Sequence, residues 1–303
     1  MLDLRRLDIL VRFAAHGSIT AVAAELGYSP SAISQQLATL EREAGLALLE
    51  RTAHSAFLTA AGQELAAHAG LVLDAAQTAQ NRMRARAGTI GGQVTVSCIP
   101  GLAVALAPRL AALQQRHPEL VVIAREIGSV DAAAAVRQRG CDLAVIDDWT
   151  QHPPSAPAGL TATRLRHEQV VLAVPAEHPA AEAATPVSVA ALRGIIEAAT
   201  LICAPVGHLS RGATDQRLAA ITARPARRWE FEGLHVIAAL VGAGAGTAFL
   251  PESIAGNQAG VTGLPVAPAM HRRILAMTRG ATGNDPAVAA CLAAVRDALD
   301  AGS

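Results

Sequence analysis

Residues 18–42, SITAVAAELGYSPSAISQQLATLER, read as two short helices around a tight turn. Ser18 is placed to N-cap the first, whose apolar Ile19, Val22 and Leu26 share a face, and Gly27 supplies the left-handed residue that ends it. After the Gly27-Tyr28 turn, Ser29 is placed to N-cap the second helix and Pro30 stands at its first position, where the missing N–H is no loss. Ile33, Leu37, Leu40 and Ala44 recur at helical spacing and are expected to face inward. At about 100° per residue the opposite face carries Ser31, Ser34, Gln35, Ala38 and Arg42. Short hydroxyls, an amide and a methyl group fit a major groove and meet base edges, so this is a candidate recognition helix of a helix-turn-helix. A plain helical hairpin with a solvated face is the alternative.

A helix over residues 3–15 precedes this pair, with Leu4, Leu7, Leu10, Val11 and Ala14 as its apolar stripe and Gly17 as its stop. Beyond Gly45 the period changes. Residues 48–52 and 56–59 read as two short strands joined by Ala53-His54-Ser55, a wing beside the candidate recognition helix. Arg51 lies at its edge, suited to a phosphate or the minor groove, or else a surface arginine near Glu50. Thr59 then caps a long helix in which Leu65, Ala69, Val72, Ala76, Ala79 and Met83 are spaced four, three, four, three, four. Such a seam on a projecting helix predicts a dimer contact, with packing inside its own chain as the other reading. Gly88, Gly91 and Gly92 read as a linker.

From Gln93 onward strands and helices alternate, which predicts a mostly parallel sheet with right-handed crossovers. The proline-rich WTQHPPSAPAG (149–159) interrupts this pattern, and a second set follows with a strand at 169–175. The expected division is a winged helix-turn-helix at 1–58, a linker and dimerisation helix at 59–90, and a two-lobed α/β domain at 91–303. Its lobe I takes about 91–163 and 268–303, and its lobe II about 164–267.

Composition narrows the function classes. The 303 residues are 51% hydrophobic and 17% charged, long enough for more than one core. All 25 basic residues are arginine and the formal net charge is zero, so overall charge argues neither for nor against nucleic acid. Residues 1–58 hold five Arg against six acids, less basic than a DNA-binding segment usually is. Cys98, Cys141, Cys203 and Cys291 are scattered and without neighbouring His ligands, so neither a metal site nor a disulfide framework is indicated. With no signal-peptide core and no apolar run long enough to span a bilayer, a reducing cytoplasm is the expected location, with no membrane contact.

The motifs AAELGYSPSAISQQLATLE (23–41), LLERT (48–52), LTAAG (58–62), RHPEL (116–120), CDLAV (141–145) and GAGTAFLP (244–251) occur in order along the chain. Together they resemble the bacterial LysR-type transcriptional regulators. The resemblance implies a winged helix-turn-helix, a linker-helix dimer and an effector domain shaped like a periplasmic binding protein. It implies double-stranded promoter DNA, a small-molecule effector, self-association into a dimer and then a tetramer, and RNA polymerase as partners, with no cofactor. The family's base-reading positions fall on Ser29, Pro30, Ser31, Ser34 and Gln35, with Arg51 in the wing; glutamine often stands where this chain has Ser29.

By the same resemblance the effector sits between the lobes, against Cys98, Pro100, Gly101, Gly128, Ser129, Val206, Gly207, His208, Gly246 and Thr247. Several of these are helix N-termini or glycine-rich turns whose N–H groups suit a carboxylate, which points to a small organic acid. Pro100 and Gly101 replace the hydroxyl residues many relatives have after the first strand, and the peroxide-sensing relatives carry their reactive cysteine near the position of Leu209. Three other readings are a solute-binding receptor, a constitutive repressor with a vestigial effector pocket, and an enzyme. The N-terminal helices argue against the first, and no nucleophile, base and orienter cluster supports the last.

Overall fold

The computed structural model describes residues 2–300 apart from 53–54, 88, 151–155, 183–186, 281 and 283–284. The wing tip, Gly88 of the expected linker and most of the proline-rich loop therefore lie outside the described residues. The chain opens with α1 (Leu4–His16), α2 (Ile19–Leu26) and α3 (Pro30–Ala44). Asp3, Ser18 and Ser29 cap them through backbone N–H groups two to three residues on, and each helix ends on a left-handed glycine, Gly17, Gly27 and Gly45. Tyr28 N–H returns to Ala23 O and completes the stop between α2 and α3. Leu10, Phe13, Val22, Ile33, Leu37 and Leu40 are sealed into one small core. In α1 the inward residues are Leu7, Ile9, Leu10 and Phe13, whereas Leu4 is exposed.

β1 (Leu49–Arg51) and β2 (Ala56–Leu58) pair antiparallel as a two-stranded wing. α4 (Ala60–Ala87) follows at once, with Gly62 N–H donating to Thr59 Oγ1 and the Thr59 hydroxyl donating to Ala47 O. Gly62 is obligatory for packing: a Cβ there would lie 2.1 Å from Leu48 O, so the wing and α4 meet closely only because it has none.

α4 corrects the expected seam. Ala66, Ala69 and Leu73 are buried in the N-terminal core against α1, and Leu65 packs on the same cluster. Ala69 is 1% exposed, so it and Leu65 serve their own chain. The uncovered apolar stripe is Leu71, Val72, Ala75, Ala79 and Met83, turned around the helix from Ala69, with Ala76 half-buried between the faces. A seven-residue count cannot tell which side of a helix its own domain claims.

The C-terminal domain comprises β3 (Gly92–Cys98), α5 (Pro100–Arg116), β4 (Leu120–Glu126), α6 (Ala132–Arg137), β5 (Leu143–Asp148), β6 (Leu160–Pro175) and α7 (Val189–Ala198). It continues with β7 (Thr200–Cys203), α8 (Leu209–Ala220), β8 (Arg227–Glu230), α9 (Leu234–Gly242) and β9 (Ala248–Pro251). α10 (Glu252–Gly256), β10 (Val261–Leu264), β11 (Met270–Arg279) and α11 (Pro286–Asp300) close the chain. One sheet runs β10-β6-β11-β5-β3-β4 with β9 also on β6. Among the described residues of this domain the parallel ladders are β3–β4, β3–β5 and β7–β8, with isolated parallel bridges at Val187–Val266 and Leu201–Thr247, while the ladders of β11 and β6 are antiparallel, which corrects the expected mostly parallel sheet.

β6 is 16 residues long, where the alternation of the sequence indicates seven. Its first half pairs with β11 in one lobe and its second half with β9 and β10 in the other. Thr161 to Glu168 alternate too poorly to read as strand from the sequence, yet β11 supplies a ladder for them, interrupted by a bulge at Leu165. The first lobe is built on Val94, Val96, Leu106, Leu143 and Val295, and the second on Leu172, Leu192, Leu201, Ala238 and Leu250.

Candidate functional site

Two surfaces carry the chemistry. The first is the outer face of α3. Ser29, Pro30, Ser31 and Gln35 are exposed, Ser34 and Ala38 half-buried, and Ile33, Leu37 and Leu40 hold the helix down from beneath. Ser29 Oγ accepts from Ala32 N–H at 3.2 Å and lies 3.0 Å from Ser31 Oγ, so the first turn presents two linked hydroxyls. Arg6 reaches from α1 to Gln36 Oε1 and the Glu43 carboxylate, pinning α3 on its other side.

Arg51 is half exposed at the wing, and its guanidinium donates to Glu41 Oε2 at 3.2 Å rather than to Glu50. Glu41 Oε1 also accepts from Leu48 N–H and Leu49 N–H, both at 3.0 Å. One carboxylate of α3 thus sets both the start of the wing and the resting place of its arginine. Nothing in the sequence singles out Glu41, because its three donors become neighbours only when the wing folds back.

The second surface is a cavity of about 450 Å³ between the two lobes. Pro100, Gly101, Gly128, Ser129, Val206, Gly207 and His208 line it, together with Glu126, Asp131, Asp147, Glu232 and Arg272. Cys98, Gly246 and Thr247 do not line it, which corrects three of the expected positions. Cys98 is buried beneath the end of β3. Gly246 is there for close approach, since a Cβ would lie 2.1 Å from Thr200 O. Thr247 is 1% exposed between β7 and β9, and its hydroxyl has no hydrogen-bond partner.

The cavity floor is charged. Arg272 donates to Glu168 Oε1 from Nε at 2.9 Å and from Nη2 at 2.5 Å, and its Nη1 lies 3.8 Å from Asp147 Oδ2. Burial pushes the Glu168 carboxyl up, but the Arg272 and Arg166 charges and the hydrogen bonds from Ser253 and Arg272 together outweigh it and hold the group below its ordinary value. Asp147 accepts from Ser129 Oγ at 2.6 Å and from Trp149 Nε1 at 2.7 Å, which aims it. One polar link crosses the cavity mouth: His235 Nε2 of α9 lies 3.1 Å from Gly101 O of α5. Burial raises all four cysteine thiols, Cys291 to about 12, so none is a ready thiolate. Leu209 lines the cavity at the first position of α8.

Among the described residues no group of three metal-ligating side chains stands together, and no helix is long and apolar enough to cross a membrane. A winged helix-turn-helix joined by one long helix to a two-lobed α/β domain is the architecture of a ligand-responsive DNA-binding regulator. Residues 87–300 match the LysR substrate binding domain and residues 4–63 the lysR-family bacterial regulatory helix-turn-helix. The chain belongs to the LysR family of transcriptional regulators.

It is 33% identical over 160 residues to a probable hydrogen peroxide-inducible genes activator of Mycobacterium xenopi, covering 52% of this chain and 82% of that one. It is 32% identical over 173 residues to the nitrogen assimilation regulatory protein nac of Escherichia coli, covering 56% of this chain and 55% of that relative. A full-length OxyR variant from Pseudomonas aeruginosa shares the fold, with a TM-score of 0.72, 22% identity, and coverage of 98% of this chain and 95% of that one. These relatives are named as regulators of transcription, not as enzymes.

Proposed function

We propose that residues 1–58 read promoter DNA, that residues 59–90 pair two copies, and that residues 91–303 bind a small molecule which alters how the assembly sits on its operator. Ser29, Pro30, Ser31, Ser34, Gln35 and Ala38 enter the major groove, and Arg51 exchanges Glu41 for a backbone phosphate. The observation that carries this is α3 itself: its polar first turns are bare while three leucine-sized residues beneath are fully buried, so the bare face is held rigid for a partner. Two copies meet along Leu71, Val72, Ala75, Ala79 and Met83, and the dimers pair into a tetramer.

The effector occupies the cavity between the lobes, where touching both would close them and shift the surfaces on which subunits pair. Because every thiol is buried and protonated, the signal is a bound ligand, not an oxidised cysteine. The protein acts in the cytoplasm, with RNA polymerase as its downstream partner.

The test is operator binding across a range of salt. Changing Ser34 and Gln35 together to alanine should erode discrimination between operator and random DNA by ~1–3 kcal/mol for each base-edge hydrogen-bond pair removed. Arg51→Ala should instead weaken all sequences alike and flatten the salt slope by about one ion. Unchanged operator preference in the double variant would overturn the assignment of α3.

A further inference from the structure

We infer that the first lobe holds the DNA-binding unit of its own chain by a latch on α4, in which Arg139 and Arg279 grip Asp74, and that this latch couples bound DNA to the lobe. Asp74 stands half-buried on the helix that carries the winged domain, and its Oδ1 accepts from Arg139 Nη2. Arg279 brings its Nε to 4.0 Å from the same oxygen. That Nε–H is buried without a hydrogen-bond partner, whereas Nη1 donates to Val136 O and Cys141 O, and Nη2 to Asp142. Burial and the nearby Arg279 charge lower the Arg139 guanidinium from its ordinary value, and Asp74 draws it back up. From α1, Asp8 attracts Arg139 and Arg12 repels it more weakly. Asp142, the acid beside them in the lobe, is taken by Arg279. Among the described residues Arg139 makes no ion pair within its own lobe, and a largely buried cation without one is costly. α4 supplies the missing charge.

The backbone supports the same assignment. Arg139 has φ 63°, a left-handed conformation just past the end of α6 that a glycine would hold without strain, and Gly140 is the next residue. The strained position is the one whose side chain crosses to the other domain. Around it lies a gap of about 770 Å³, lined by Asp8, Glu25 and Arg12 on the N-terminal side and by Arg125 with Arg139, Asp142 and Arg279 on the lobe. Two acids and one base thus face three bases and one acid. Charges across a gap attract without fixing an angle, whereas the Arg139–Asp74 hydrogen bond is directional. Three elements of the lobe also have one end here and the other at the cavity. α6 leads from Asp131 to Arg139, β5 from Asp142 to Asp147, and β11 from Arg272 to Arg279. A close-packed lobe moves as a unit, so a shift at the cavity reaches α4 through Asp74. Only that step rests on the cavity being the effector site.

The experiment is hydrogen exchange with mass spectrometry on the full-length protein, read on peptides covering residues 134–142. There the N–H groups of Gln138, Arg139 and Gly140 donate to Ala134, Val136 and Ala135 carbonyls. Asp74→Asn should quicken their exchange by about three- to tenfold, although the altered residue belongs to another domain. Asp74→Glu keeps the charge and should stay within about twofold of the parent. In an Arg139→Gln background Asp74→Asn should add nothing. Arg139→Gln alone should quicken exchange over residues 72–78 of α4, which keeps the test open if Asp74→Asn does not fold. A DNA fragment recovered from a random pool by binding to the protein should change exchange over 134–142 in the parent and leave Asp74→Asn unmoved. Equal exchange in the parent and Asp74→Asn, or an equal effect of Asp74→Asn with and without Arg139, overturns the latch. DNA that is retarded in a gel yet leaves the parent peptide unmoved overturns the coupling. A pool that yields no bound DNA refutes the reading of α3 instead, and the exchange cycle still decides the latch. No effector is added, so a wrong placement of the effector site leaves these results standing.

Discussion

Replacing Glu41 by alanine should free the wing from the recognition helix while leaving both elements formed. The carboxylate is 19% exposed and accepts two backbone N–H groups at 3.0 Å, from Leu48 and Leu49, which are themselves 1% and 6% exposed. Each N–H left without its acceptor costs ~1–3 kcal/mol, at the lower end where water enters the space left by the side chain. The Arg51 partner, with its side chain 41% exposed, contributes a few tenths at most after screening. Local opening of the wing is therefore easier by ~2–4 kcal/mol, and at ~1.4 kcal/mol per tenfold this is roughly 30- to 1000-fold faster amide exchange at Leu48 and Leu49. Exchange at Ile33 and Leu37, in the middle of α3, should change far less. The measurement is hydrogen exchange followed by mass spectrometry on peptides covering residues 45–60, with operator affinity recorded beside it. Glu41→Gln retains one acceptor oxygen and should fall between the two. If exchange over the wing is the same in Glu41→Ala as in the parent, the carboxylate does not hold the wing, and the structural account of Arg51 fails with it.

Val72→Glu places a carboxylate at the centre of the uncovered stripe of α4, where two copies would bring like charges together, and light scattering should report loss of the dimer; an unchanged mass would place the interface elsewhere. Glu168→Gln strips a buried arginine of its closest counter-charge and should destabilise the domain by ~3 kcal/mol, softened by Asp147 at 3.8 Å, as read by chemical denaturation. Because the folded carboxyl of Glu168 is held below its unfolded value of about 4.3, its contribution is complete above that pH and fades as pH falls through the lowered value, so the parent and the variant should converge in acid. Thr247→Val removes a buried hydroxyl that has no partner and should raise the melting temperature by the equivalent of ~1 kcal/mol; a loss of stability would mean that the hydroxyl is satisfied in solution.

The N-terminal helices are legible from sequence because their signals are local. A serine before a helix and a glycine after it act on backbone groups within four residues, so Ser18, Ser29, Gly17, Gly27 and Gly45 mark the same boundaries in the chain and in the fold. Helical spacing alone likewise picks out Ile33, Leu37 and Leu40 as the buried face and so exposes Ser31 and Gln35. The motifs from Ala23 to Pro251 are enough to suggest the family. What lies beyond local reach is decided by tertiary structure. The heptad count on α4 is real, but only docking on α1 determines that Ala69 turns inward and Val72 outward. β6 becomes a 16-residue strand because β11, more than a hundred residues later, supplies its ladder. The glycine turns and helix starts of the cavity are visible in sequence and point to an acid. Its carboxylates Glu126, Asp131 and Asp147 are scattered acids until the β4–α6 connection and the end of β5 are brought side by side in the cavity lining. Electrostatic character depends on distances across space, and the order of residues along a chain does not contain those distances until the sheet has formed.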